Sequence, residues 1–358
     1  MPSETLNPPI DLTGGFEPQA DLMEPDYPKA DPNYRESVSM WLFDDAGAIQ
    51  FPRFLIEDIP GEPDRRLVFY NIAFPDGRAV VEWGSAKAIS MLDDQRRPTV
   101  YGVEGMAFRC VEPFKTWTAS LRGEMTETTS SALLQGPPEG PRVAVEFDVE
   151  TTSVAPPWVM GRFSSATAKL IESGSQDSFF MGQGFRYEQL VLARGRCRIG
   201  DELHEFSGRG LRVHRRSSRK SAGFRGHVWQ TTVFPSGRAF GLLAFPPAPG
   251  GGLHVSEAFY FDGHTMHPAE IESVHWLTRA RPGPQDVSIR LRTAARVLAI
   301  DAEIQATNFS TARLAASSTT ADPLLQQQGC ARYRLDGEEA FGMIERSNFR
   351  SKISVETQ

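Results

Sequence analysis

The sequence predicts an all-β protein, a sandwich or a barrel. Three observations carry this. Short runs of alternating apolar and polar residues follow one another through most of the chain, turn-forming Pro, Gly and Asp clusters separate them at regular spacing, and only one segment reads as a helix.

In chain order, residues 1–36 are rich in Pro, Asp and Glu (NPPIDL, MEPDYPKADPNY) and are expected to form an irregular arm that packs on the body or stays mobile. SVSMWLFDD then runs into the turn AGA, and RRLVFYNIAF–PDG–RAVVEWGSAKAI reads as strand, turn, strand. VYGVEGMAFRCVEPFKTWTASLRGEM offers two further extended segments. In PRVAVEFDVETTSV, Val143, Val145, Phe147 and Val149 alternate with Ala144, Glu146, Asp148 and Glu150, the pattern of a half-buried strand. FSSATAKLIESG (163–174) opens with Ser and Thr, continues through Leu170 and Ile171 and can end at Gly174, so it is read as a helix connecting two halves.

The β pattern then resumes. FRYEQLVLARGRCRI and ELHEFSGRG flank a tight Gly200–Asp201 turn, and RGHVWQTTVF–PSG–RAFGLLAF is a second hairpin. SEAFYFDG, ESVHWLTRAR, QDVSIRLRT, RVLAIDAEIQAT and ARYRLDGEEAFGMIERS supply the remaining strands, and APGGG (248–252) an exposed loop. The turns FPDGRA (74–79) and FPSGRA (234–239) sit at matching places in two strand–turn–strand units, a weak internal repeat.

Composition narrows the function. The formal net charge of -7 gives no whole-molecule attraction to nucleic acid or anionic lipid. Cys110, Cys197 and Cys330 are far apart, odd in number and without CxxC spacing, which suits a reducing compartment. MPSETLNPPIDLTGG lacks a basic n-region and an apolar h-region, and no apolar run is long enough to span a bilayer, so a cytoplasmic protein without stable membrane insertion is expected. No GxGxxG follows a strand, and neither a GxxxxGK[ST] loop nor a GxSxG elbow occurs, so no nucleotide cofactor or serine elbow is expected. HTMH places His264 and His267 three apart, with His275 and Glu257 as further ligands on paper, but HxxH in a turn is a poor zinc signal and no metal site is expected.

The stretch GRGLRVHRRSSRKSAGFRGHVW (208–229) holds seven Lys or Arg, two His and no acid. Single-stranded nucleic-acid recognition needs basic residues interleaved with aromatics. Here the aromatics arrive only at Phe224 and Trp229, so RRSSRKSAG is read as a solvated loop at a barrel mouth rather than a nucleic-acid patch.

All seven His lie between 204 and 275, which places any polar site in or facing the second half. Alternation along a strand puts Arg212, His214 and Arg216 on one face, and His227, Trp229 and Thr231 on another. A barrel interior collecting Arg212, His214, His227 and Trp229 would be the polar end of an aromatic-lined pocket. His214 and His227 could then move protons, while Arg212 or Arg216 held a carboxylate or enolate. Glu188, among apolar and aromatic neighbours in FRYEQL, becomes a general acid if buried, and Glu345 in FGMIERS is a second possible pocket acid. Asp262 most simply forms a turn with Gly263. Tyr187, Trp117, Phe108 and Asp262 complete the candidate ligand-contacting set. The plainer alternative is that these Arg and Glu residues pair with one another and the histidines are half-buried structure.

YEQL…GRCRIGDELHEFSGRGLRVHRRSSR…HVW, followed by a hairpin and FYFDG, resembles the second half of the lipocalin-like proteins grouped with AttH. VEPFKTWTASLRGE and VAVEFDVETTSVAPPW resemble their first half. That superfamily includes bacterial hydroxyneurosporene synthase (carotenoid hydratase) and fungal lipocalin-like hydratases and cyclases. The resemblance covers roughly residues 37 to 350. Relatives tend to read Gly-x-Arg-Asp-His-Ser-Trp-Gly-x-Arg. Gly210, Arg212, His214 and Arg219 match that pattern, but Val213 stands at the Asp position, with Arg215 and Arg216 at the Ser-Trp positions.

The resemblance implies two tandem lipocalin-like barrel or sandwich domains, 37–162 and 183–350, joined by a linker with a short helix at 163–182. It also implies an apolar ligand pocket in or between them. The expected activity is hydration, isomerisation or cyclisation of an isoprenoid, steroid-like or polyketide-like small molecule by acid–base chemistry without a cofactor. Non-catalytic carriage of such a ligand is the alternative, because one fold serves both.

Overall fold

The computed structural model describes residues 10–25, 31, 33–173, 183–218, 224–247, 255–312 and 322–356. They form two closed antiparallel barrels of eight strands each. The first uses β1 (Tyr34–Asp44), β2 (Gln50–Ile59), β3 (Glu62–Ala73), β4 (Arg78–Lys87), β7 (Thr116–Thr129), β8 (Arg142–Ser153), β9 (Gln183–Ile199) and β10 (Glu202–Ser218). Each strand pairs with its neighbours in that order. The ring closes where Arg78–Val81 of β4 meets Thr126–Thr129 of β7 and where β10 runs back along β1 from Tyr34↔Ser218 to Asp44↔Gly208. The short strands β5 (Val100–Val103) and β6 (Met106–Glu112) extend the sheet from β7.

The second barrel is the same kind of meander. It is built from β11 (His227–Val233), β12 (Ala239–Ala244), β13 (Ser256–Phe261), β14 (Met266–Ser273), β16 (Ile289–Arg292), β17 (Val297–Ala312), β18 (Leu324–Leu335) and β19 (Glu338–Phe349). A parallel pair, β15 (Arg279–Ala280) with β20 (Ser354–Val355), lies outside it. Closure leaves neither barrel with an open sheet edge.

The strand pairing moves the expected domain boundary. β9 and β10, assigned from sequence to a domain starting at 183, complete the first barrel. The helix α2 (Ser165–Glu172) is therefore an excursion between β8 and β9 rather than the link between halves. Its Ser164 cap accepts from Thr167 N at 3.1 Å, as the Ser-rich start of the segment suggested. A second helix, α1 (Ser130–Gln135), was not anticipated. Thr129 caps it, and Leu133 and Leu134 bury against Phe309 and Leu325 of the second barrel. The Phe74 and Phe234 turns make the same hydrogen bonds, but the first joins the third and fourth strands of its barrel and the second the first and second, so they are not at equivalent positions.

Three apolar clusters follow from strand alternation. One fills the first barrel (Met40, Phe54, Phe108, Trp117, Phe147), and one fills the second (Phe240, Leu242, Ile300, Tyr333, Ile344). The third lies between the barrels, where outward side chains of β1, β9 and β10 (Trp41, Phe43, Leu190, Leu211, Val213) meet those of β11, β13 and β19 (Trp229, Phe259, Met343). The glycines of GRGLRVH belong to this architecture. A Cβ on Gly208 would lie 1.8 Å from Phe43 O, and one on Gly210 1.9 Å from Trp41 O, so β10 can approach β1 only without side chains there. The three cysteines are free and buried. Among the described residues no helix is long and apolar enough to cross a membrane.

Candidate functional site

The wall of the first barrel divides the sequence-predicted site residues into two groups. Arg212 and His214 on β10, and Tyr187 on β9, point into the first barrel with Trp117 of β7. Glu188, Val213, Trp229 and His227 lie in the seam between barrels. The expected single pocket holding Arg212, His214, His227 and Trp229 together is not formed. Alternation sends the two pairs to opposite sides of a sheet.

Inside the first barrel the polar group is closed by the arm. Residues Pro18–Asp21 make a 3-10 turn that carries Asp21 into the barrel end. Asp21 accepts from Trp117 Nε1 at 3.0 Å, from Arg212 at 2.9 and 3.3 Å, and from Tyr187 OH and Phe114 N. Burial alone would raise the Asp21 pKa, but the Arg212 charge and the His214 and Tyr187 contacts hold it well below the carboxylate range. His214 Nε2 lies 2.7 Å from Glu36 Oε1, and its Nδ1 lies 3.7 Å from Asp21. All four side chains of this polar cluster, Asp21, Glu36, Arg212 and His214, are fully buried. Arg216, also expected to bind ligand, instead donates to the arm carbonyls of Leu22 (3.1 Å) and Ala20 (2.8 Å) and pairs with Glu24. The arm is thus bound structure over residues 10–25, and β1 begins at Tyr34 rather than after 36.

The seam has different electrostatics. Glu188 is 3% exposed, accepts from Trp229 Nε1 at 3.0 Å and lies 2.5 Å from Arg186 Nη2. Burial raises its pKa, outweighing the opposing pull of Arg186 and the Trp229 bond. Glu188 Oε1 is the atom that faces Arg186 Nη2, while Arg186 Nη1 is buried with no hydrogen-bond partner among the described residues, so one donor beside the carboxyl remains available. Trp229 packs edge-on against Trp41 with centroids 4.9 Å apart, and Trp41 Nε1 reaches Glu345 Oε2 at 3.3 Å.

Glu345 also takes Gln326 (2.6 Å), Gln328 (2.7 Å) and His227 Nε2 (3.0 Å). Burial raises its pKa, but Arg53 and these donors bring it down to about 2. The possible pocket acid of the sequence is therefore an ionised base. With Glu345 ionised, His227 Nε2–H donates to it, and in the neutral ring Nδ1 accepts the Ser347 hydroxyl at 2.7 Å. Ser347 and Arg186 were not singled out from sequence. Ser347 meets the site only through the cross-strand pair His227↔Ser347, whereas Arg186 lies two residues before Glu188 on β9, where strand alternation places it on the same face.

The other candidates lie elsewhere. Phe108 is core of the first barrel. Asp262 is away from both groups, capping the His264 and Thr265 backbone amides and taking His267 Nε2 at 2.7 Å in an exposed turn. Glu257 ties the segment after β8 to the second barrel, through Trp158 Nε1 (3.0 Å), Gly161 N (3.0 Å) and Phe163 N (2.9 Å). In the basic stretch β10 continues to Ser218, so Arg215–Ser218 is strand, not loop. Arg219–Gly223 lies outside the described residues, as does His254.

Tandem barrels of this kind occur in known structures. The structure of a putative AttH from Nitrosomonas europaea aligns over 88% of this chain and 92% of its own, at 13% identity and a TM-score of 0.52. That of CghA with Sch210972 aligns over 93% and 94%, at 10% identity and a TM-score of 0.52. The shared feature is the lipocalin-like tandem fold. No curated protein matches the chain in sequence. Residues 18–350 match one family, and the chain belongs to it: the domain of unknown function DUF7064.

Proposed function

We propose that this chain is an enzyme that transforms a hydrophobic small molecule by acid–base chemistry of its own side chains, as a hydration, isomerisation or cyclisation, in the seam between its barrels. The observation that carries this is the opposite shift of two buried carboxylates on either side of the Trp41–Trp229 pair: Glu188 upward, Glu345 downward to about 2. Environments that push two titratable groups apart define an acid and a base. Glu188 in its protonated form gives a proton to an alkene or carbonyl. Arg186 stabilises negative charge on oxygen, and His227, polarised by Glu345, removes a proton from water or from carbon. The aromatic walls suit an apolar substrate. That the similarly folded CghA has been solved with a small molecule, Sch210972, supports a small-molecule ligand. Glu188 is almost fully covered, so a substrate reaches it only when a neighbouring segment opens.

The test begins with solvent extraction and mass spectrometry of lipophilic molecules that co-purify with the chain. They are then incubated with it in deuterated water. The expected result is conversion with solvent deuterium in the product, and a loss of about 100-fold or more in Glu188→Gln with the fold retained. A ligand bound and released unchanged would make the protein a carrier instead.

A further inference from the structure

The end of the second barrel holds a charge that this mechanism does not use. Arg346 on β19 shares the inward face with Ile344 and is 3% exposed. Its guanidinium meets only neutral oxygens: Gln327 Oε1 from Nε (3.0 Å) and Nη2 (2.6 Å), Gln285 Oε1 from Nη2 (3.0 Å) and His275 O from Nη1 (3.2 Å). Of its five N–H groups, one on Nη1 is left over. Among the described residues no carboxylate forms an ion pair with it, although buried charges are ordinarily paired. Burial lowers its pKa to about 10, which leaves it charged at neutral pH.

Arg346 lines a pocket of about 220 Å³ with His275, Trp276, Thr278, Arg281 and Asp286. Nearby charges are mostly accounted for. Arg279 pairs with Glu356 at 3.1 Å, while Asp286 is held by Ser288 Oγ (2.6 Å) and lies 3.7 Å from His275 Nε2. Arg281 donates to Pro284 O at 2.7 Å and, among the described residues, has no carboxylate partner. Among the described residues, two cations without a paired carboxylate therefore face one small polar pocket, which the Asp286 carboxylate also lines. We propose that this pocket binds a small oxyanion, either free phosphate or the carboxylate head of a larger ligand, with Arg346 at its floor and Arg281 and Thr278 at its rim. A guanidinium fork with one donor to spare and a threonine hydroxyl match oxyanion geometry. The site stands apart from the seam and does not depend on the activity proposed there.

The test titrates the purified chain with inorganic phosphate, and separately with acetate and decanoate, at ionic strength held constant with chloride. Thermal unfolding and calorimetry are the readouts. A saturable rise in Tm with phosphate alone supports a free anion, and one that strengthens from acetate to decanoate supports a carboxylate head. Arg281→Ser should weaken the binding about tenfold without moving the unliganded Tm. Arg346→Gln should abolish it, and if that variant does not fold, Thr278→Val with Arg281→Ser carries the test. No saturable effect on the unmodified chain, or an equal effect in Arg281→Ser, overturns the proposal.

Discussion

Glu188 stands directly across from Val213, paired on β9 and β10, and both side chains face the seam between the barrels. Directly opposed residues in an antiparallel pair place their Cβ atoms about 5 Å apart. The position where the resemblance expects Asp carries an aliphatic residue here, yet the neighbouring strand supplies a carboxylate to the same patch of the seam. The substitution at 213 thus leaves the patch with an acid, in a setting that raises its pKa.

The Trp229 N–H bond lowers the Glu188 pKa, so Trp229→Phe is expected to raise it further. A general acid works only while protonated. The alkaline limb of kcat/KM against pH should therefore move to higher pH in this variant, with the acid limb unchanged. A pH–rate profile on the identified substrate checks this, and an unmoved alkaline limb removes Glu188 from the acid role.

Glu345 gives the clearest pH dependence of stability. Its pKa falls from the ordinary glutamate value of 4.5 to about 2 on folding. Its contribution is fully present above pH 4.5 and is lost as pH falls toward about 2, because the unfolded chain binds the proton first. Urea unfolding between about pH 6 and about pH 2 should show a steeper loss of stability in the unmodified chain than in Glu345→Gln.

His214→Ala is expected to act on stability rather than on catalysis. It leaves the fully buried Glu36 carboxyl without its 2.7 Å hydrogen-bond partner and removes a contact of Asp21. Leaving a buried polar group unsatisfied costs roughly 1–3 kcal/mol, and the cavity left by the ring adds to that. The variant should unfold at markedly lower temperature and denaturant. If it retains full stability and loses turnover alone, His214 belongs to the chemistry after all.

Gly210→Ala should destabilise the first barrel, since its Cβ would sit 1.9 Å from Trp41 O on β1. Hydrogen exchange along β1 and β10 should rise relative to β7 and β8. Gly200→Ala is the comparison at the β9–β10 turn, where nothing lies within 4 Å of an added Cβ but φ is +55°. It strains the backbone without touching the β1–β10 contact, so exchange along β1 should stay unchanged.

Much of this protein is legible in the order of its residues. Alternation marked the strands and showed that Arg212 and His214 share a face, and that His227 and Trp229 share one. The Gly200–Asp201 turn and the Ser164 cap were legible because their contacts span only a few residues. Glu188 stood out because its neighbours in sequence are apolar and aromatic. What a single strand cannot show is which of its faces looks into a barrel and which looks out. That depends on closure by pairing between β1 and β10 and by the packing of a second barrel. So the sequence could not separate Arg212 and His214 from His227 and Trp229, or place β9 and β10 in the first barrel. Nor could it bring Asp21 to Arg212 across 191 residues, or Glu36 to His214 across 178. Local pattern determines the strands and their two faces. The long-range closure of the sheets decides which charges meet, and hence which residues are structural and which line the seam.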